Sequence, residues 1–146
     1  MNYGPENATL TVHTKRGGAA AKAGHDLTLL VERWNASYDE GDLTLDADTS
    51  SLRVVEATGG AFSLGDEEKA AIKQTIDDEV LKGSPLTYRG GELTLNGVTR
   101  PVPFTFDGSE GRAEIKQTDF KIKPYSALFG TLKVADVIEV RVRTNG

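Results

Sequence analysis

The sequence predicts an all-β fold, an antiparallel barrel or sandwich with one amphipathic helix laid over it. Three observations carry that prediction. Apolar residues recur at every second position through most of the chain. Short Gly-, Asn- and Asp-bearing strings separate neighbouring runs, and one segment alone switches to a helical spacing.

Taken in order, the alternating runs are Leu10 and Val12; Leu27, Leu29 and Val31; Leu43, Leu45 and Ala47; Leu52 and Val54; and Leu86 and Tyr88. They continue with Leu93 and Leu95; Val102, Phe104 and Phe106; Ala113 and Ile115; and Ile138, Val140 and Val142. Threonines and charges fill the alternate positions, the pattern of half-buried antiparallel strands. Asp39–Asp42, Gly90-Gly91, Asn96-Gly97 and Asp107–Gly111 separate runs with residues that accept the positive φ of tight hairpins. Such close connections favour sequential antiparallel pairing over βαβ crossovers.

The helical segment lies between Gly65 and Gly83, where Ile72, Ile76 and Val80 recur at a spacing of four. Asp66 is the expected N-cap, acidic residues crowd the first turn, and Gly83 with Pro85 ends the helix. Ile72, Ile76 and Val80 are expected to cover one side of the sheet, with Glu67, Glu68, Asp77, Asp78 and Glu79 in solvent. A second helical turn is expected over Tyr125–Phe129, between Pro124 and Gly130. The small-residue stretch 17–23 reads as a turn or a closely packed helical turn at the barrel entrance. No repeat or linker divides residues 1–146, which read as a single domain.

Composition narrows the function. The chain has 146 residues, 22 acidic against 17 basic, and a net charge of −5, a balance that disfavours nucleic acid and anionic membrane surfaces. There is no cysteine, so disulfides, thiol nucleophiles and thiolate metal sites are excluded. His13 and His25 fall on different predicted strands, so no metal site is expected. No apolar run approaches the roughly 20 residues of a membrane span, and no signal peptide is visible, so a cytoplasmic protein is expected. Gly17-Gly18 and Gly90-Gly91 lack the Gly-Lys-Ser/Thr of a phosphate loop, and Asp46-Ala47-Asp48 lacks the glycine and distal glutamate of a calcium loop.

Several strings, in order, resemble the YceI-like family. They are Lys22-Ala23-Gly24-His25-Asp26-Leu27-Thr28-Leu29 with Trp34 beyond it, Ser50–Val54, the helix Lys69–Ile76, Gly91–Val102, Gln117–Tyr125 and Leu128–Asp136. The resemblance implies a lipocalin-like antiparallel barrel of about eight strands that holds a long isoprenoid or isoprenoid quinone and performs no catalysis. It implies no cofactor. Relative to the family pattern the hairpins around 39–42, 89–92 and 107–111 are short, which would cut down one rim of the barrel and its tunnel. Apolar edges at such a rim would favour a homodimer. Lys121 stands where the family shows glycine.

The expected ligand-binding residues follow from this. Leu27, Leu29, Val31, Phe104, Phe106, Phe120 and Phe129 are wall candidates for an apolar chain, and the same residues serve equally as ordinary core. His25, Tyr88 and Tyr125 are candidates at the rim for a polar head group. His25 reads alternatively as an imidazole satisfying backbone at a strand start. Adjacent strand residues face opposite ways, so His25 and Asp26 do not form an acid–base dyad. Trp34 and Tyr38 either gate a mouth or anchor the core. The alternative to a ligand carrier is a compact barrel filled by its own side chains.

Overall fold

The computed structural model describes residues 1–15, 25–59, 65–123, 126–127 and 132–145. Its strands are β1 (Asn2–Tyr3), β2 (Ala8–Thr14), β3 (His25–Val31), β4 (Trp34–Asp39), β5 (Asp42–Ala47), β6 (Leu52–Gly59) and β7 (Leu86–Arg89). They continue as β8 (Glu92–Leu95), β9 (Val98–Pro101), β10 (Phe104–Phe106), β11 (Glu110–Lys116), β12 (Ser126–Ala127), β13 (Leu132–Lys133) and β14 (Val137–Thr144). One helix, α1 (Asp66–Thr75), runs on into a wider π-type turn over Ile76–Val80.

All pairings among these strands are antiparallel. One six-stranded sheet has the order β1-β4-β5-β7-β8-β9 and the other β10-β11-β14-β2-β3-β6, with β12 and β13 as a separate pair. The chain passes directly from one sheet to the other between β1 and β2, β3 and β4, β5 and β6, and β9 and β10. Pro103, which has no N–H to give a ladder, stands at the last of these breaks. At the corner shared by β3–β4 and β5–β6, Arg33 Nε donates to Asp48 Oδ2 at 3.0 Å and Arg33 N to Ser51 Oγ at 2.9 Å. Asp48 N in turn donates to Arg33 O at 3.0 Å, so both arms of the bend are fixed to each other.

The predicted turns are where the sequence placed them. Asp39 pairs with Asp42, Arg89 with Glu92, and Leu95 with Val98, leaving two-residue loops. Both residues of each loop have positive φ, 54° and 73° at Asn96 and Gly97, the geometry that matches the twist of the flanking strands. Asp107 Oδ1 accepts from Ser109 N at 2.8 Å and Glu110 N at 2.7 Å, closing the β10–β11 turn. These backbone bonds hold the Asp107 carboxyl below its usual range.

The inward residues of both sheets make one core, in which Leu10, Leu27, Leu29, Leu45, Leu93, Leu95 and Ile115 are buried. The β3–β6 register shifts at Thr28/Leu29, where Val55 is the extra residue and is exposed. That bulge explains why the alternation of the sequence breaks at Val54-Val55. Helix α1 packs on β6, with Ile72 and Ile76 buried as predicted.

Two local expectations need correction. The N-cap is Gly65, not Asp66: Glu68 turns back to accept from Gly65 N at 3.1 Å, so the helix begins one residue earlier than a side-chain cap would place it. Within Tyr125–Phe129, Ser126–Ala127 form β12 and pair with β13 rather than making a helical turn; Tyr125, Leu128 and Phe129 lie outside the described residues.

The 3₁₀ turn Gln117–Phe120 ends on Lys121 in the left-handed region, φ 58° and ψ 30°, which explains physically why glycine suits that position. Lys121 is exposed, so its side chain offers no packing in return. Lys121→Gly is therefore expected to stabilise the fold by about 0.5–1 kcal/mol, after the entropy that glycine adds to the unfolded chain, and so to raise the melting temperature. An unchanged or lowered midpoint in a thermal melt would show that the backbone there is not strained.

Candidate functional site

Two apolar cavities lie between the sheets. The first, about 80 Å³, is walled by Tyr38 of β4, Leu43 of β5, Tyr88 of β7, Leu93 of β8, Phe104 and Phe106 of β10, and Ala113 and Gly111 of β11. Its wall includes residues that flank three turns: Tyr38 and Leu43, Tyr88 and Leu93, and Phe106 and Gly111. Its rings interlock edge to face: Tyr38 on Phe106 at 4.8 Å between centroids, Tyr88 on Phe104 at 5.6 Å, and Tyr3 on Phe106 at 6.0 Å.

The second cavity, about 110 Å³, is walled by Leu27, Leu29 and Val31 of β3, Leu52 of β6, and Ile76, Val80 and Leu81 at the end of the helical segment. Buried Thr14, Thr49 and Gln117 give it a few polar groups. Thr49 Oγ1 donates to Ser84 O at 2.5 Å and Gln117 Nε2 to Ala135 O at 3.1 Å, so these polar side chains are also held by backbone. Leu10, Leu45, Leu86, Ile115 and Val140 line both cavities and stand where they meet.

The structure thus brings five of the wall candidates to cavities: Leu27, Leu29 and Val31 to the second, Phe104 and Phe106 to the first. Phe120 reaches neither wall; it is 1% exposed and packs in the core beneath its 3₁₀ turn. Tyr88 is not at a rim. It is buried, its hydroxyl donates to Val102 O at 2.6 Å, and burial pushes its pKa up. That bond occupies the hydroxyl proton a head group would have taken. His25 begins β3 opposite Gly59, but its side chain, like Tyr125 and Phe129, lies outside the described residues. Trp34 is a buried core residue, whereas Tyr38 lines the first cavity. The sequence reading passed over Tyr3, Leu43, Gln117 and the aliphatics common to both cavities as site residues.

No group of three or more His, Asp or Glu side chains is placed to hold a metal among the described residues, and no described helix is long and apolar enough to cross a membrane. His13 faces away from the cavities, its Nε2 2.9 Å from Thr11 Oγ1 and its Nδ1 3.4 Å from Thr28 Oγ1.

Residues 48–145 match the family model of the YceI-like domain. The chain belongs to the YceI-like family. Among solved structures it is similar to the crystal structure of Burkholderia cenocepacia BcnA, with a TM-score of 0.50 and 16% identity over 92% of this chain and 93% of that one. At that identity the likeness concerns the fold. Comparison with curated protein sequences gives no match. In this YceI-like chain the space between the sheets is lined almost wholly by apolar side chains.

His13 supplies a pH test of that outer face. Burial and the positive charges of Arg141 and Lys15 lower its pKa below 6.5, against the smaller opposing pull of Glu139 and Glu56. A lowered histidine pKa means the unfolded chain binds more protons between the folded value and 6.5, so stability present above 6.5 is lost as the pH falls through that window. The melting temperature is expected to drop between pH 7 and 5, and to drop less in His13→Gln. Equal drops in the two proteins would assign the effect to other groups.

Proposed function

We propose that this protein binds a hydrophobic small molecule of the isoprenoid or isoprenoid-quinone class, non-covalently and without catalysis, in the space between its two sheets. The observation that carries the reading is the pair of adjoining apolar cavities walled by both sheets. Membership of the YceI-like family supports the ligand class. The strand pairings support a lipocalin-like barrel around that space. With β1–β2, β3–β4, β5–β6 and β9–β10 each taken as one bent strand, the pairings run from β2 through β3–β4, β5, β7, β8, β9–β10, β11 and β14 back to β2.

Binding in such a site is driven by desolvation, about 25 cal/mol for each Å² of apolar surface removed from water. Branched aliphatic walls suit a branched hydrocarbon because that attraction is non-directional. Thr14, Thr49 and Gln117 border the second cavity, but backbone groups already engage them, so this cavity suits the apolar part of a ligand. The second reading, a closed core without ligand, is favoured by the small volumes alone: ligand pockets commonly measure about 300–1,000 Å³.

Native mass spectrometry of freshly purified protein, followed by solvent extraction, is expected to show and release a prenyl lipid or quinone. Added prenols or short-chain quinones should raise the melting temperature. A bare polypeptide mass that persists after incubation, with an unmoved melting temperature, would establish the closed core instead.

A further inference from the structure

We propose that Asn96-Gly97 is a spontaneous deamidation site which the fold holds in check, and that its conversion releases the 3₁₀ turn Gln117–Phe120 from the β8–β9 hairpin. The proposal does not depend on what occupies the interior.

Local structure explains why this dipeptide stands here. Leu95 pairs with Val98, so the hairpin turns on Asn96 and Gly97 alone, at φ 54° and 73°. Few residues other than glycine accept that region; asparagine does, and its amide finds a second use. Asn96 Nδ2 donates to Phe120 O at 3.0 Å, with Lys121 O at 3.4 Å. Those carbonyls belong to the end of the 3₁₀ turn, where Phe120 is buried and Lys121 is left-handed. Beside this clasp, Arg100 Nε of β9 reaches Asp119 O at 3.4 Å. The far side of the turn is fixed separately: Thr118 N and Oγ1 donate to the Asp136 carboxylate at 2.9 and 2.6 Å. Asn96 thus clasps the hairpin to a turn whose Gln117, with Ile122 just beyond it, borders the second cavity.

The chemistry that threatens the clasp is intrinsic to the dipeptide. The Gly97 amide nitrogen gives its proton to hydroxide and attacks Asn96 Cγ. The N–Cγ bond forms, the Cγ–Nδ2 bond breaks and ammonia leaves. Water then opens the succinimide at either carbonyl, giving aspartate or isoaspartate. Glycine permits the attack because it has no side chain to block the approach; Gly97 is exposed, with open space where a side chain would stand. In the folded hairpin the Asn96 amide is held on Phe120 O, and ring closure requires the side chain to swing back onto its own backbone. The hydrogen bond must break first, so the fold slows the reaction by the cost of opening the clasp. Conversion is then destructive. A carboxylate replaces the N–H donors and faces two carbonyl oxygens, which repel it where they had bonded the amide. Isoaspartate also adds a methylene to the backbone of a two-residue turn whose geometry sets the strand register.

The chain carries its own comparator, because Asn145-Gly146 repeats the dipeptide and Asn145 is exposed. The test incubates the full chain at mildly alkaline pH and follows both sites by peptide mapping and mass spectrometry, which reads the exchange of NH₂ for OH. In the folded chain Asn96 is expected to convert about tenfold or more slowly than Asn145. In urea, where the clasp is gone, the two should convert at similar rates. Phe120→Leu loosens the turn that carries the acceptor, and Arg100→Ala removes the neighbouring tie; each should speed conversion of Asn96 several-fold and leave Asn145 alone. Arg100 is exposed, so its variant keeps the test open if Phe120→Leu does not fold. Asn96→Asp stands in for the product. It should melt at a lower temperature and exchange faster at the Lys121 and Ile122 amides, which bond to Thr118 O and Gln117 O. Equal rates at the two sites in the folded chain would show that the clasp protects nothing. An Asn96 that stays intact in the folded protein and in every folded variant would remove it as a modification site. Unchanged melting and exchange in Asn96→Asp would overturn the release of the turn.

Discussion

Two sheets share a single apolar interior, and the side chains at its centre have to satisfy both sheets at once. Leu10, Leu45, Leu86, Ile115 and Val140 each belong to a strand whose register is set by its neighbours, yet together they line both cavities. A slip of one residue in any of these strands would turn its whole inward set to solvent. Their packing thus fixes strand register, and register in turn fixes which residues face the interior.

The rest of the fold keeps that interior enclosed. Strands bend from one sheet into the other, with Arg33, Asp48 and Ser51 bonded across one corner. Arg33 and Asp48 also form an ion pair; exposed as it is, it holds geometry more than it adds stability. The rings of Tyr38, Tyr88, Phe104 and Phe106 interlock on the wall of the first chamber. The end of the helical segment brings Ile76, Val80 and Leu81 to the second. Asn96 ties a hairpin to the 3₁₀ turn by donating to Phe120 O at 3.0 Å, which keeps Phe120 in the core.

Much of this is legible in the sequence because alternation reports which face a residue occupies. Leu27, Leu29, Val31, Phe104 and Phe106 all lie on inward faces, and the structure puts each on a cavity wall. Alternation does not report what a polar tip bonds to. Tyr88, with the signature of an inward residue, was expected to offer its hydroxyl at a rim and is instead buried with that hydroxyl bonded to Val102 O. Long-range pairing is equally invisible locally. Tyr3 reaches the first chamber only because β1 pairs with Ser37 and Ala36 of β4, and Ser126–Ala127 form a strand between helix-like Pro and Gly signals because β13 lies opposite. The positive φ at Lys121 has no trace in hydrophobic pattern; the glycine of the family pattern was the clue.

The central claim is that the interior between the sheets receives an apolar molecule, and methyl-detected NMR tests it most directly. With Leu, Ile and Val methyls labelled and a prenol added, the account predicts intermolecular contacts from the prenol to Leu10, Leu45, Ile115 and Val140 methyls. Contacts confined to exposed methyls such as Val55 and Val137, with those four unchanged, would contradict it.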